Sequence, residues 1–202
     1  GSAENTYLTC MGLDPELYDV QLVIGPSDES AMGPEETACV EENLARLRAR
    51  GVKILTLAGL VRRVSPVKDL VTLLALWRLF RRERPRIVHT HTSKAGILGR
   101  WAAWLAGVPA VIHTPHGHVF WGYFGQAKTR FFIFLEKLSA LVTDRLVMLT
   151  DQERIDHLRV GIAPEEAFVT IHSGVELVPF MAAKAARDEA RRALGIPDGA
   201  FA

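Results

Sequence analysis

Val111-Ile112-His113-Thr114-Pro115-His116-Gly117-His118 decides how the rest of the chain is read. The apolar, β-branched start predicts a strand. Pro115, which lacks an N–H, and Gly117, which tolerates unusual backbone angles, stop that strand and force a turn that presents His116. Upstream, Ile87-Val88-His89-Thr90-His91-Thr92-Ser93-Lys94 repeats the arrangement of strand, polar histidine turn and helix start. Two strands that end in polar loops place a site at their carboxyl ends.

Working outward, strands are expected at 19–25, 52–57, 86–90, 110–114, 145–149 and 168–172, with helical patterns between them. The first turns up without a strand before it: Tyr7, Leu8, Met11 and Leu13 mark a helix at the start of the chain. A further helix is expected over 41–50. The longest pattern, Pro66 to Arg84, carries a broad apolar surface (Val67, Leu70, Val71, Leu74, Trp77, Phe80) and a narrow polar stripe with Lys68, Thr72 and Arg82, so it is expected to cover a sheet face. Ser93 reads as the N-cap of a helix that stops at Gly107 before Pro109, and Gly96 and Gly99 let that helix approach the sheet. Helices are also expected from about Ala127 to Val142 and over 152–160, where Thr150 and Glu153 fit a capping box. Near-continuously apolar strands alternating with helices call for a Rossmann-like α/β fold: a parallel sheet with helices on both faces, joined by right-handed crossovers.

Composition narrows the function. With 49% hydrophobic residues the chain can build a sizeable core, and a formal net charge of +1 leaves no overall electrostatic footprint for nucleic acid. Cys10 and Cys39 fit neither a disulfide framework nor a thiolate zinc site, which favours a reducing, cytoplasmic setting. No apolar run reaches the roughly 18 residues of a membrane span.

In open parallel sheets, ligands bind beyond the carboxyl ends of the strands, where helix N-termini offer unpaired N–H groups to a phosphate or carboxylate. His116 is the first candidate there, as a hydrogen-bonding partner of substrate, with Gly117 letting ligand or backbone come close. Lys94 lies in a first helical turn, unfavourable for a cation unless an anion or sugar binds beside it; a solvated lysine is the alternative. His89 and His113, inside strands, read as packed histidines with satisfied ring nitrogens. No cysteine or carboxylate at short spacing completes a metal site with the histidines.

Four segments in order carry a resemblance: Gly-Ser-Ala-Glu at the start, Arg-Pro-Arg-Ile-Val-His-Thr-His-Thr-Ser-Lys-Ala-Gly (84–96), Val-Ile-His-Thr-Pro-His-Gly (111–117) and Val-Thr-Ile-His-Ser-Gly-Val-Glu (169–176). Together they resemble the amino-terminal, acceptor-side domain of family-4 glycosyltransferases, one half of a GT-B fold. The resemblance implies transfer of a sugar, with retention, from a nucleotide-sugar donor to a glycan or lipid-linked acceptor, in cell-surface polysaccharide or glycolipid synthesis and without a cofactor or catalytic metal. It implies that Gly1 and Ser2 match the family's glycine-rich loop near the donor phosphate and that His116 contacts the donor sugar; Gly117 and His118, in the same loop as His116, are expected to bind substrate. Ser173 and Glu176 stand where the family commonly has Asn and Asp.

On this reading residues 1–176 form the Rossmann-like domain and 177–202 a linker helix and the start of a second domain. The family's first strand would precede Gly1, and the carboxy-terminal domain that grips the nucleotide would follow, so the chain is expected to be a truncated and inactive piece. The aromatic run Phe120 to Phe124 and the cluster Arg78, Arg81, Arg82, Arg84 and Arg86 suggest peripheral contact with an anionic membrane, at the inner face. Arginines complementing a helix C-terminus are the alternative. A sugar-nucleotide epimerase of the same fold would need carboxylates near the histidine loops, where the sequence is poor in them. A noncatalytic nucleotide- or carbohydrate-binding module is the third reading.

Overall fold

The computed structural model describes residues 1–26, 33–61, 63–117, 125–178, 181 and 187–197. Helix α1 (Ser2–Gly12) leads to strand β1 (Gln21–Ile24), then α2 (Pro34–Ala49), β2 (Lys53–Thr56), α3 (Pro66–Glu83), β3 (Ile87–His91), α4 (Ser93–Ala106) and β4 (Ala110–Thr114). The second half continues with α5 (Gln126–Ala140), β5 (Arg145–Met148), α6 (Asp151–Arg159), a 3-10 turn (Glu165–Ala167), β6 (Phe168–Thr170) and α7 (Arg187–Ala193). Every strand pair is parallel, as crossover helices require. Among the described residues the strands form two sheets rather than one, β1-β2 and β3-β4-β5-β6.

Each core segment joins strands to the helices beside them in sequence. Tyr7 of α1 and Leu47 of α2 bury with Val52 over Leu22 and Ile54 of the smaller sheet. Val88, Val111 and Ala103 of α4 pack with Phe80 of α3. Leu146, Met148, Ile162 and Phe168 close the far end against Ile133 and Ala140 of α5. The predicted close approach of α4 is real: a Cβ on Gly96 would overlap the His113 ring, and one on Gly99 would lie 2.7 Å from Thr90 Cγ2.

Three local expectations change. Helix α2 starts earlier than expected, because Pro34 suits a first turn that Glu35 and Glu36 complement electrostatically. Thr92, not Ser93, holds the N-cap position of α4, and its side chain makes no cap hydrogen bond. In α3 the buried residues are Thr72 and Leu76, while Val67 and Leu70 are exposed. The reason is the neighbour: Thr72 closes on Gly59, and Phe80 supplies the contact with the sheet core.

Candidate functional site

The carboxyl ends of β3, β4, β5 and β6 converge with the start of α1. At the end of β3, His91 Nδ1 lies 2.8 Å from His116 Nε2 on the loop after β4, so one ring donates to the other. The His89 ring stacks on His91 with centroids 4.3 Å apart, and its Nε2 meets Thr114 Oγ1 at 2.8 Å. Three imidazoles and a threonine therefore form one polar layer. His89 and His91 occupy this layer because strand side chains alternate: Val88 and Thr90 point the other way, toward α4.

The loops are shaped by backbone conformations that side chains disfavour. His116 has φ 61° and Gly117 φ 101°, while Thr92, on the equivalent loop after β3, has φ 62°. A β-branched residue at positive φ costs of order 1–3 kcal/mol and persists only where its surroundings hold it. Glu153 is part of that hold. Its carboxylate accepts the Gly117 N–H at 2.8 Å and the Leu149 N–H at 2.8 Å, tying the loop after β4 to the one after β5. The expected cap half is present too, with Glu153 N–H donating to Thr150 Oγ1 at 3.0 Å. Beyond β6, Asn5 Nδ2 donates to Ser173 Oγ at 3.1 Å, which brings α1 to the same edge.

Electrostatics keep the layer neutral. Burial pushes the His89 imidazole down to about 4 and His91 to about 3, with neighbouring imidazoles adding to the effect. Burial lowers His116 as well, and the Glu153 carboxylate opposes the shift. Neutral histidines that donate and accept suit sugar hydroxyls. Glu153, with an N–H on each oxygen, is a structural acceptor rather than a base. Among the described residues no group of three or more His, Cys, Asp or Glu is arranged to hold a metal ion.

The other candidate residues divide. Gly1 sits at the start of α1, and Ser2 O accepts the Thr6 hydroxyl at 2.8 Å. Lys94 turns away from the histidines to pair with Asp69 of α3 and to donate to the Arg63 carbonyl. His118 and the aromatic run Phe120 to Phe124 lie outside the described residues. His113 is a packed histidine: Nδ1 lies 2.9 Å from Thr90 Oγ1, and Nε2 is 3.8 Å from Glu136 of the buried Arg100–Glu136 pair. Sequence reasoning did not single out His91 or Glu153 for the site. The repeat of strand and histidine turn signals His91, but nothing local reveals that Glu153 reaches Gly117.

A parallel α/β fold with its polar loops gathered at the carboxyl edge of the strands defines a Rossmann-like domain of the GT-B type. Residues 1–174 match the family described as Glycosyl transferase 4-like domain, and the chain belongs to that family. Over 158 residues, 74% of its length, it is 34% identical to UDP-Gal:alpha-D-GlcNAc-diphosphoundecaprenol alpha-1,3-galactosyltransferase of Escherichia coli. It spans 39% of that relative. Among solved structures it is similar to Anabaena Alr3699/HepE in complex with UDP and glucose, with a TM-score of 0.54 and 12% identity over 85% of this chain and 50% of that one. The same protein in complex with UDP-glucose gives a TM-score of 0.53 at 12% identity, over 84% and 50% of the respective chains.

Proposed function

We propose that the chain is the amino-terminal, acceptor-side half of a retaining glycosyltransferase. Its parent moves a sugar from a nucleotide-sugar donor to a glycan or lipid-linked acceptor, in cell-surface polysaccharide or glycolipid synthesis at the cytoplasmic face of the inner membrane. The observation that carries this reading is the neutral layer of His91 and His116 beside Gly117 at the strand ends, in a chain of this family. Retention has support in the relative's name, since an alpha-1,3 product from UDP-galactose, an α-linked donor, preserves the anomeric configuration.

Departure of a nucleoside diphosphate leaves positive charge on the sugar and negative charge on the phosphate. The site must neutralise the leaving group and hold the acceptor on the same face of the sugar. His116 offers a hydrogen bond to the donor sugar, and the loop at Gly117 lets ligand approach the backbone. The groups that clamp the diphosphate belong to a carboxy-terminal domain, so the chain alone is inactive. A first strand between β1 and β3, each of which has a single partner among the described residues, would join the two sheets into one.

The test pairs UDP-galactose with a synthetic N-acetylglucosamine-diphospholipid and compares this chain with a longer protein carrying the following domain. An α-linked product from the longer protein, none from the chain, and a roughly 10- to 100-fold loss of kcat/KM in His116→Ala of the longer protein are the expected results. Tight nucleotide-sugar binding by both with transfer by neither would make the chain a binding module instead.

A further inference from the structure

The loop that carries His116 is pinned through its backbone: Glu153 holds the Gly117 N–H, and His116 itself keeps φ 61°. Neither constraint fixes the imidazole, because rotation about the bond to a ring is broad and roughly two-fold. Among the described residues the ring is tied by hydrogen bond to His91, whose Nδ1 lies 2.8 Å from His116 Nε2, with centroids 5.1 Å apart and planes tilted by 34°. That bond occupies one of the two nitrogens of His116. The other, Nδ1, has no hydrogen-bond partner among the described residues and is the one left for a ligand.

His91 is itself held from behind. His89 stacks on it at 4.3 Å, with its own Nε2 2.8 Å from Thr114 Oγ1, and Thr114 is the register partner of His91 across β3 and β4. The Thr92 N–H donates to the Thr114 carbonyl at 3.2 Å, closing the strand pair just beyond His91. A ring fixed by its own strand and by a stacked neighbour can impose its geometry on a partner that stands on a loop.

We infer that His91 is a positioning residue for sugar transfer: it takes up Nε2 of His116 and turns Nδ1 toward a hydroxyl of the donor sugar. Burial keeps both imidazoles neutral, so one proton serves the bond between them and the two rings do not choose their tautomers independently. When His91 donates, His116 Nδ1 carries the remaining proton and donates to the ligand; when His91 accepts, Nδ1 is bare and accepts. A hydroxyl matches both states, since it donates and accepts, whereas an ionised phosphate oxygen matches only the first. The pair is therefore suited to the sugar rather than to the diphosphate. Its kinetic consequence rests on the reading of His116 as the contact to the donor sugar; the coupling of the two rings is argued from their geometry.

The test has two arms. In long-range proton–nitrogen correlation spectra of this chain at neutral pH, His91→Phe, which keeps a ring to stack on His89 but no nitrogen, is expected to shift the His116 ring nitrogens far more than a changed ring current would. That result needs no sugar transfer. In the longer protein with the following domain, His91→Phe is expected to lower kcat/KM for UDP-galactose ~10-fold, and His91→Asn, whose amide can occupy the Nδ1 position, to recover most of the loss. In a His116→Ala background His91→Phe should cost nothing further, because no imidazole remains to be positioned, whereas a purely structural role would add its loss to that of His116→Ala. Should His91→Phe not fold, His91→Gln, which moves the polar group off the Nδ1 position, carries the same comparisons. Unchanged His116 nitrogens, no recovery in His91→Asn, or additive losses would each overturn the inference. A longer protein that transfers no galactose counts against the transferase reading alone and leaves the spectra to decide this one.

Discussion

At the scale of single residues, Glu153 connects helix capping to the site. Its two carboxylate oxygens take N–H groups from two different loops, one of them on the glycine that follows His116. Glu153→Gln leaves one oxygen for two donors and sets an amide N–H against the other. A loss of about 1–3 kcal/mol is expected in urea denaturation, the cost of an unsatisfied buried donor with its charge-assisted partner gone. An unchanged midpoint would show that the loop does not need this carboxylate. His116 itself has a cost already built in, since it holds a left-handed conformation that glycine would take more readily.

At the scale of elements, α4 and α5 are joined by charge as much as by packing. Arg100 is fully buried, donates from Nε to the Gly96 carbonyl at 3.0 Å and pairs with Glu136 through both terminal nitrogens. Removing one partner strands the other charge away from water. Arg100→Met and Glu136→Leu are each expected to cost about 3–5 kcal/mol, while the double variant recovers much of the loss because no lone charge remains. A double variant no better than the sum of the singles, in chemical denaturation, would contradict this.

The elements also show what the sequence makes readable. Strand and helix alternation, the stop at Gly107 and the close packing at Gly96 follow from short-range signals, namely period, φ and the absence of a Cβ. The outward apolar face of α3 is different. A helical wheel identifies an apolar stripe but not the side the tertiary structure turns outward, and in α3 that side was expected to meet the sheet. In the site, His116 was legible from a strand ending in Pro-His-Gly. The partnership of His91 with His116 across neighbouring strands depends on parallel register, and that of Glu153 with Gly117 on loops brought together only after the sheet forms.

At the scale of the whole molecule, the neutral histidine layer makes stability depend on pH. In the unfolded chain each imidazole takes a proton near 6.5; in the folded one His89 stays neutral down to about 4 and His91 down to about 3. Between these values the unfolded state binds more protons. Stability is therefore full above pH 6.5 and falls as the pH drops below it, by about 1.4 kcal/mol per pH unit for each histidine held neutral. Urea midpoints between pH 7.5 and 5, above the range where ordinary carboxylates titrate, should decline accordingly, and His91→Gln should flatten the slope. A midpoint constant across that window would mean that the layer accepts protons while folded.

The larger sheet orders its strands as the chain does. β3 meets β4, β4 meets β5 and β5 meets β6, so each new strand finds its partner in the one made just before it. No pairing within that sheet waits for a segment two strands away, which keeps the loops closed at each step short. The histidine layer thus takes its strand residues from one neighbouring pair, β3 and β4, and Glu153, which follows β5 in the chain, ties the loop after β4 to the loop after β5.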